Sequence, residues 1–403
     1  MSISRRQFIL GSGATGALGA AAYSYKRGIR IPPFHWEPKT KQLSLGVLKP
    51  QQDQILLLPN SNQTNSFWRA TAPEPKLSLS SSTNLVCTLN IQNLAANACL
   101  VANGVEHEEV INGTQRTLTL SLSKDEVAKL SWTLPVTDNG ITFASIGDSG
   151  GDLELAWCIQ RAKQLGADFL LHLGDFNYQD SDYQSAINHF KHSDLPVYVS
   201  IGNHDFHDNG GRYGRFIDEI GPLNQAFVVA GHRFLNIDTA AGFLPLAGGQ
   251  RGRLLQSLKQ QKTINTIAFT HCPLQDPIPN SDHDIGSNKE RDWLIDQLRS
   301  LGVSSMLSGH IHINHRSTIA GIDHLIVGQG LGHQDLLVGQ DHSKMALGRI
   351  DKNKRLEIEL ADLAMPMEIH CHPRTDAVKN SLQGSTHEAL IKSIEQKCAQ
   401  RST

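Results

Sequence analysis

The sequence is short of several things, and each shortage narrows the reading. Cysteine is scarce: six in 403 residues cannot make a disulfide framework at this size, which excludes the small stapled scaffolds. No apolar run beyond the extreme N-terminus is long enough to cross a bilayer, so the body is expected to be soluble, with no stable membrane span in the mature protein. An excess of positive charge is missing too, since 37 Lys and Arg against 39 Asp and Glu leave a formal charge of −2. That balance lacks the basic footprint of a nucleic-acid binder. No repeat of solenoid period runs through the chain either.

What is present suffices for two or three domains, because 403 residues with 39% hydrophobic side chains can bury a proper core. Residues 1–25 read as an address. Ser4-Arg5-Arg6-Gln7-Phe8-Ile9 resembles a twin-arginine export signal, a weakly apolar stretch from Phe8 to Ala22 follows, and Ala20-Ala21-Ala22 offers a cleavage site. The expected partner is then the twin-arginine export machinery, and the expected location is periplasmic or extracellular. That route carries folded proteins, so metals can be inserted before export. An oxidising compartment also allows a disulfide or two, with Cys87 and Cys99 in one β-rich segment and Cys371 and Cys398 bracketing the tail. Cys158 falls on a helix face with Leu155 and Ile159 and reads as core. For Cys272, which lacks a CxxC partner, packing is favoured over coordination.

Residues 40–137 are rich in Ser, Thr and Asn. They alternate over Ser78 to Leu89, Thr117 to Leu122 and Leu130 to Leu134, with turns at Asn103-Gly104 and Asn112-Gly113. A small all-β sandwich of immunoglobulin or fibronectin type is expected, though no cysteine-tryptophan signature marks it. Asp138-Asn139-Gly140 makes a hinge-like turn, and residues 140–350 then switch to β-α alternation. Strands are expected at Ile141–Ile146, Phe169–Leu173, Val197–Ile201, Ala226–Asp238, Thr266–Phe269 and Ser304–Leu307. Helices are expected at Leu153–Leu165, Tyr183–His192, Arg251–Gln261 and Glu290–Leu301. The fold class is therefore α/β, with mixed sheets covered by helices. Residues 351–403 form a tail whose Ser385-Thr386-His387-Glu388 capping box opens a docking helix with one apolar face through Leu390, Ile391, Ile394 and Cys398.

Five short segments carry side chains suited to metals: Gly147-Asp148-Ser149-Gly150, Gly174-Asp175-Phe176-Asn177-Tyr178, Gly202-Asn203-His204-Asp205, Thr270-His271 and Gly309-His310-Ile311-His312. Each follows an apolar strand-like run, which places it at the sheet edge where open α/β folds bind ligands. Eleven of the 19 histidines lie between His204 and His342, in keeping with metal chemistry there. A carboxylate between two cations about 3.5–4 Å apart can share its oxygens and offset their repulsion, and Asp175 is the candidate bridge. Asp148 and Tyr178 then suit one metal and Asn203 and His271 the other, while His310 and His312, two apart on an extended segment, face the site together.

Order and spacing resemble the calcineurin-like metallophosphoesterases, in particular the purple acid phosphatases, over about residues 141 to 330. Their pattern is GDxG, GDxxY, GNH(D/E), xxxH and GHxH. Gly150 stands where the wider superfamily carries a second ligand, and Tyr178 stands where a tyrosinate favours ferric iron. The resemblance implies a dinuclear centre of Fe(III) with Fe(II), Zn(II) or Mn(II). Asp148, Asp175, Tyr178 and His312 would hold the ferric ion, and Asp175, Asn203, His271 and His310 the divalent one. It also implies hydrolysis of a small phosphate monoester by a metal-held hydroxide, with His204 as general acid and Asp205 orienting it. A phosphodiesterase or nucleotide-cleaving activity is the alternative on the same site, and an inactive binding scaffold is the rival of another class. His207 and Asp208 are expected to extend the polar cluster. His283, Asp284, His315, His324 and His333 are expected at the surface or behind the ligands.

Overall fold

A computed structural model describes residues 43–179, 181–205, 213–240, 249–279, 281, 283–332, 343–366 and 369. The expected export signal, the tail helix after Ser385, His207, Asp208, His333, Cys371 and Cys398 lie outside the described residues.

The first nine strands are β1 (Leu48–Asp53), β2 (Ile55–Leu57), β3 (Asn65–Ala70), β4 (Lys76–Ser81), β5 (Leu85–Gln92), β6 (Cys99–Asn103), β7 (Glu106–Asn112), β8 (Gln115–Leu122) and β9 (Val127–Thr133). They form two sheets, ordered β1-β4-β9-β6 and β2-β3-β5-β8-β7. Burial alternates residue by residue along β4, β8 and β9, as a sheet with one wet and one dry face requires. The dry faces meet in one core around Trp68, Leu89, Leu118 and Leu120 from one sheet and Leu77, Leu79, Leu130 and Trp132 from the other. The run from Ser78 to Leu89, expected as one stretch, is two strands in different sheets. It breaks after Ser81, whose hydroxyl accepts from the Thr83 amide. The same split separates the cysteines expected as a possible pair. Cys87 is buried on β5, Cys99 is exposed on β6, and both are free thiols.

From Ile141 the order is β10 (Ile141–Ile146), α1 (Leu153–Gln164), β11 (Phe169–His172), α2 (Asp182–His192), β12 (Val197–Val199), α3 (Tyr213–Glu219), β13 (Gln225–Val229), β14 (His232–Asn236), α4 (Gln250–Leu258), β15 (Asn265–Phe269), α5 (Asn288–Ser300), β16 (Val303–Ser308), β17 (Asn314–Ile319), β18 (Ile322–Val327), β19 (Lys344–Ile350) and β20 (Leu356–Asp362). Two mixed sheets result, β12-β11-β10-β19-β20 and β13-β14-β15-β16-β18-β17. They share a core in which Phe143, Phe169 and Phe234 meet, with Phe143 and Phe234 edge to face at 5.1 Å. α1 and α2 add Leu155, Cys158, Ala186 and Phe190 to that same cluster. On the six-stranded sheet, α4 and α5 pack Leu255, Leu294 and Leu298 against Leu235, Ala268 and Met306. β11 and β12 are buried at every position, which is why Phe169-Leu170-Leu171 and Val197-Tyr198-Val199 read as apolar runs. Ser287 caps α5 by accepting from the Glu290 amide.

Two expectations need correction here. The strand-like stretch from Ala226 to Asp238 is an antiparallel hairpin, with Ala230 at φ 51 and Gly231 at φ 85 in its turn. Two successive left-handed residues make the tight turn that suits the strand twist, and Ala230-Gly231 lacks the Asn or Asp that usually announces it. The five-stranded sheet also runs past residue 350 into the segment expected as tail, because β20 pairs antiparallel with β19 along its whole length.

Candidate metal centre

All five motif segments sit just past strand carboxyl ends, three on one sheet and two on the other. Asp148 follows β10, Asp175 follows β11, Asn203 follows β12, His271 follows β15, and His310 with His312 follow β16. Three of these residues, Asp148 (φ 61), Asp175 (φ 60) and His310 (φ 69), adopt the left-handed conformation that non-glycine residues rarely hold. Such strain persists where the surroundings over-determine it, and functional sites are its usual place. The surroundings here are backbone glycines. A side chain on Gly202 would collide with the Asp175 carboxylate, and one on Gly309 with that of Asp148.

The side chains converge as two sets. In one, the Tyr178 hydroxyl lies 3.4 Å from Asp148 Oδ1, 3.3 Å from Asp175 Oδ2 and 3.2 Å from His312 Nε2. In the other, His271 Nε2 lies 2.8 Å from Asn203 Oδ1, 3.1 Å from His310 Nδ1 and 3.4 Å from Asp175 Oδ1. Asp175 thus gives one oxygen to each set. The seven side chains expected as ligands all belong to these two sets, and Asp148, Asp175 and His271, all buried, bring atoms able to bind a metal within 4.8 Å of one another.

The donor chemistry fits cations. His271 Nδ1 lies 2.8 Å from the Leu173 carbonyl, which only accepts, so Nδ1 carries a proton and Nε2 faces inward. Nε2 points at the Asn203 carbonyl oxygen and at Asp175, and this cluster of oxygens calls for a positive charge at that point, supplied by a second imidazole proton or by a cation bound to Nε2. The electrostatics record the same demand. Burial lowers the His271 imidazole, but Asp175 and Asp148 overcome it and raise it to about 9. For Asp175, burial works upward, and the imidazoles of His271, His204 and His310 outweigh it and hold the carboxyl below its ordinary range. Asp148 is raised by burial.

His204 lies at the rim. Its side chain is 46% exposed, its ring centroid stands 4.7 Å from that of Tyr178, and Nε2 is 3.9 Å from Asp175 Oδ2. Its backbone is held on both sides: its amide donates to Asp175 Oδ1 and its carbonyl accepts from Asn177 Nδ2.

Asp205 does something other than orient His204. Its hydrogen bonds among the described residues come from the amides of Gly202, Asp175 and Phe176, at 2.7–2.9 Å. It is fully buried, and burial together with the Asp175 charge raises its carboxyl to about 8. Asp205 therefore clamps the Asp175 loop to the Asn203 loop.

Other supporting residues gave little sign in the sequence. Asp182 Oδ2 accepts from the amides of Tyr178 and Gln179 and so fixes the tyrosine loop. His172, wholly buried and lowered to about 3 by burial, accepts from the Gly174 amide at Nδ1, so its Nε2 donates to Ser149 Oγ at 2.8 Å. It ties the Asp148 loop to the Asp175 loop. Its only signal was a histidine interrupting an apolar strand. His324, expected at the surface or behind the ligands, is buried with Nε2 3.0 Å from Ser308 Oγ, under the His310 loop. His283 stands 5.5 Å, ring to ring, from His310 and 3.6 Å from Asp276. Cys272 is fully buried with its amide bonded to Thr239 Oγ1, though its thiol is also within ligand range of His271 and His310.

Two facing mixed sheets flanked by helices define an α/β domain, with side chains suited to metals gathered at the strands' carboxyl edges. Residues 138–314 match the family model of the calcineurin-like phosphoesterases. No curated protein matches the chain. Among solved structures it is similar to the purple acid phosphatase PPD1 from yellow lupin (Lupinus luteus) seeds, at 12% identity over 78% of this chain and 72% of that one, TM-score 0.46. It is similar to a dimetal phosphatase from Danio rerio at 14% identity over 57% and 98%, TM-score 0.40. It is also similar to GAP50, the anchor in the inner membrane complex of Plasmodium, at 15% identity over 56% and 85%, TM-score 0.42.

Proposed function

We propose that the protein is an exported phosphatase of purple acid phosphatase type, hydrolysing small phosphate monoesters at a dinuclear centre. The observation that carries the reading is Asp175, whose two oxygens are shared between two separate ligand sets. Asp148, Asp175, Tyr178 and His312 would hold Fe(III), and Asp175, Asn203, His271 and His310 would hold Fe(II), Zn(II) or Mn(II). When bound, such a pair activates water as a nucleophile near neutral pH and polarises the phosphoryl oxygens.

The chain's own residues do the rest. Asn203 contributes a neutral oxygen, so its set carries less negative charge than the one with Asp148 and Tyr178. His204, exposed at the rim and fixed by its backbone, is placed to hand a proton to the leaving oxygen. Asp205 and Asn177 keep that loop in register.

Iron is tested by colour. Protein purified in air is expected to absorb visible light through a tyrosinate-to-iron transition, and Tyr178→Phe is expected to abolish the band in folded protein. A colourless, iron-free chain that still cleaves phosphate esters would refute the ferric assignment. Export rests on Arg5 and Arg6. Changing both to lysine is expected to leave the precursor in the cytoplasm, as fractionation would show; unchanged export rejects the twin-arginine reading.

A further inference from the structure

The N-terminal sandwich reaches the catalytic sheet at its edge strand. β12 ends its sheet, with β11 on one side only, and an edge strand leaves a row of unpaired amides and carbonyls. Asn93, 1% exposed, covers Val197 of that edge: its Oδ1 accepts from the Val197 amide at 2.7 Å and its Nδ2 donates to the Val197 carbonyl at 3.0 Å. A single side-chain amide thereby makes both bonds that a neighbouring strand would make. Asn93 holds φ 70 to do so, and its Nδ2 also reaches the Ala70 carbonyl.

Arg69, 2% exposed, joins it. Its Nη2 donates to the same Val197 carbonyl at 2.8 Å, and its Nε donates to the Ile220 carbonyl at 3.1 Å. Val197 and Ile220 flank the stretch that carries Asn203, His204 and Asp205 on its two sides. One buried guanidinium from β3 therefore ties together both roots of that stretch. Thr114 Oγ1 and Gln115 Nε2 add bonds to the carbonyls of Ser193 and Lys191, just before β12.

We propose that Arg69 and Asn93 are positioning residues: through Val197 and Ile220 the sandwich domain holds the Asn203–His204 loop against the rest of the metal centre. The consequence for metal binding rests on the function proposed above; the clamp itself does not. The fixed fork of arginine suits two carbonyls at once. Removing the buried guanidinium takes the side-chain donor from the Ile220 carbonyl and leaves the Val197 carbonyl with Asn93 alone, so local opening of the strand becomes easier.

Hydrogen–deuterium exchange on the full chain tests this. In Arg69→Met, and in Asn93→Gly, which tolerates the φ of Asn93, amides of residues 198–205 are expected to exchange roughly tenfold faster or more. Amides of residues 303–312, which carry His310 and His312 on the other sheet, are expected to keep their rates. Titration with Zn(II) is expected to show affinity weaker by roughly 10- to 100-fold. If one variant fails to fold, the other carries the test. Unchanged exchange at 198–205, equal acceleration of both segments, or unchanged Zn(II) affinity alongside faster exchange would each overturn the proposal. A wild-type chain that binds no cation refutes the proposed function instead, before any variant is made.

Discussion

Asp175→Ala is expected to remove essentially all phosphoesterase activity while leaving a folded protein. Asp175 is the single side chain common to both ligand sets, lying 3.3 Å from Tyr178 and 3.4 Å from His271 by its two oxygens. Two cations about 3.5–4 Å apart repel, and a shared carboxylate offsets that repulsion while fixing their separation. Losing it forfeits several kcal/mol of transition-state stabilisation, and at about 1.4 kcal/mol per tenfold this is a fall in kcat/KM of roughly 10³ or more. Metal content is expected to drop from two ions per chain toward one or none. Asp175→Asn is the sharper form of the same test. It keeps the shape and the acceptor for the His204 amide, but not the charge, so it is expected to be nearly as inactive. Wild-type turnover on an aryl phosphate, with two metals retained, would show that Asp175 does not bridge.

The candidate ligands were legible because each is short-range chemistry at a strand end. A glycine, a hard donor and a preceding apolar run are all local, and the seven ligands expected from them do converge. The apolar runs gave the strands for the same reason: β10 has the bounds expected, and β11 and β12 stop one and two residues early. What was not legible depends on partners distant in sequence. Asp205 looked like a neighbour for His204, but the groups that need its oxygens are the backbone amides of residues some 30 positions earlier. His172 and Asn177 are pinned by contacts between loops, which leave no spacing pattern.

Topology escaped in a similar way. The hairpin at Ala230-Gly231 lacks the Asn-Gly or Asp-Gly pair that announces a two-residue turn, and buried Phe227 and Val229 before it and Phe234 and Leu235 after it look like one strand. β20 alternates half-buried with exposed residues and resembles tail sequence until its pairing with β19 is known. The role of the sandwich domain was invisible for a deeper reason. Arg69 and Asn93 bond to backbone atoms more than 100 residues away, and a backbone carbonyl has no sequence signature at all.

His204→Ala is expected to separate proton transfer from the rest of the chemistry. Its ring stands at the rim, beside Tyr178 and 3.9 Å from Asp175, while its backbone rather than its side chain fixes the Asn203 loop through Asp175 and Asn177. Alanine therefore deletes the imidazole and leaves both backbone bonds. A general acid contributes roughly 10²–10⁴ in rate when the leaving group needs its proton. The loss in kcat is accordingly expected to reach that size on alkyl phosphates, whose alkoxides leave poorly, and to shrink to roughly tenfold or less on an activated aryl phosphate, which departs without help. Metal content is expected to stay at the wild-type level, because His204 belongs to neither ligand set. Equal losses on the two substrates would assign His204 to binding phosphate oxygens, and loss of metal would make it a support of the centre; either result removes it as the acid.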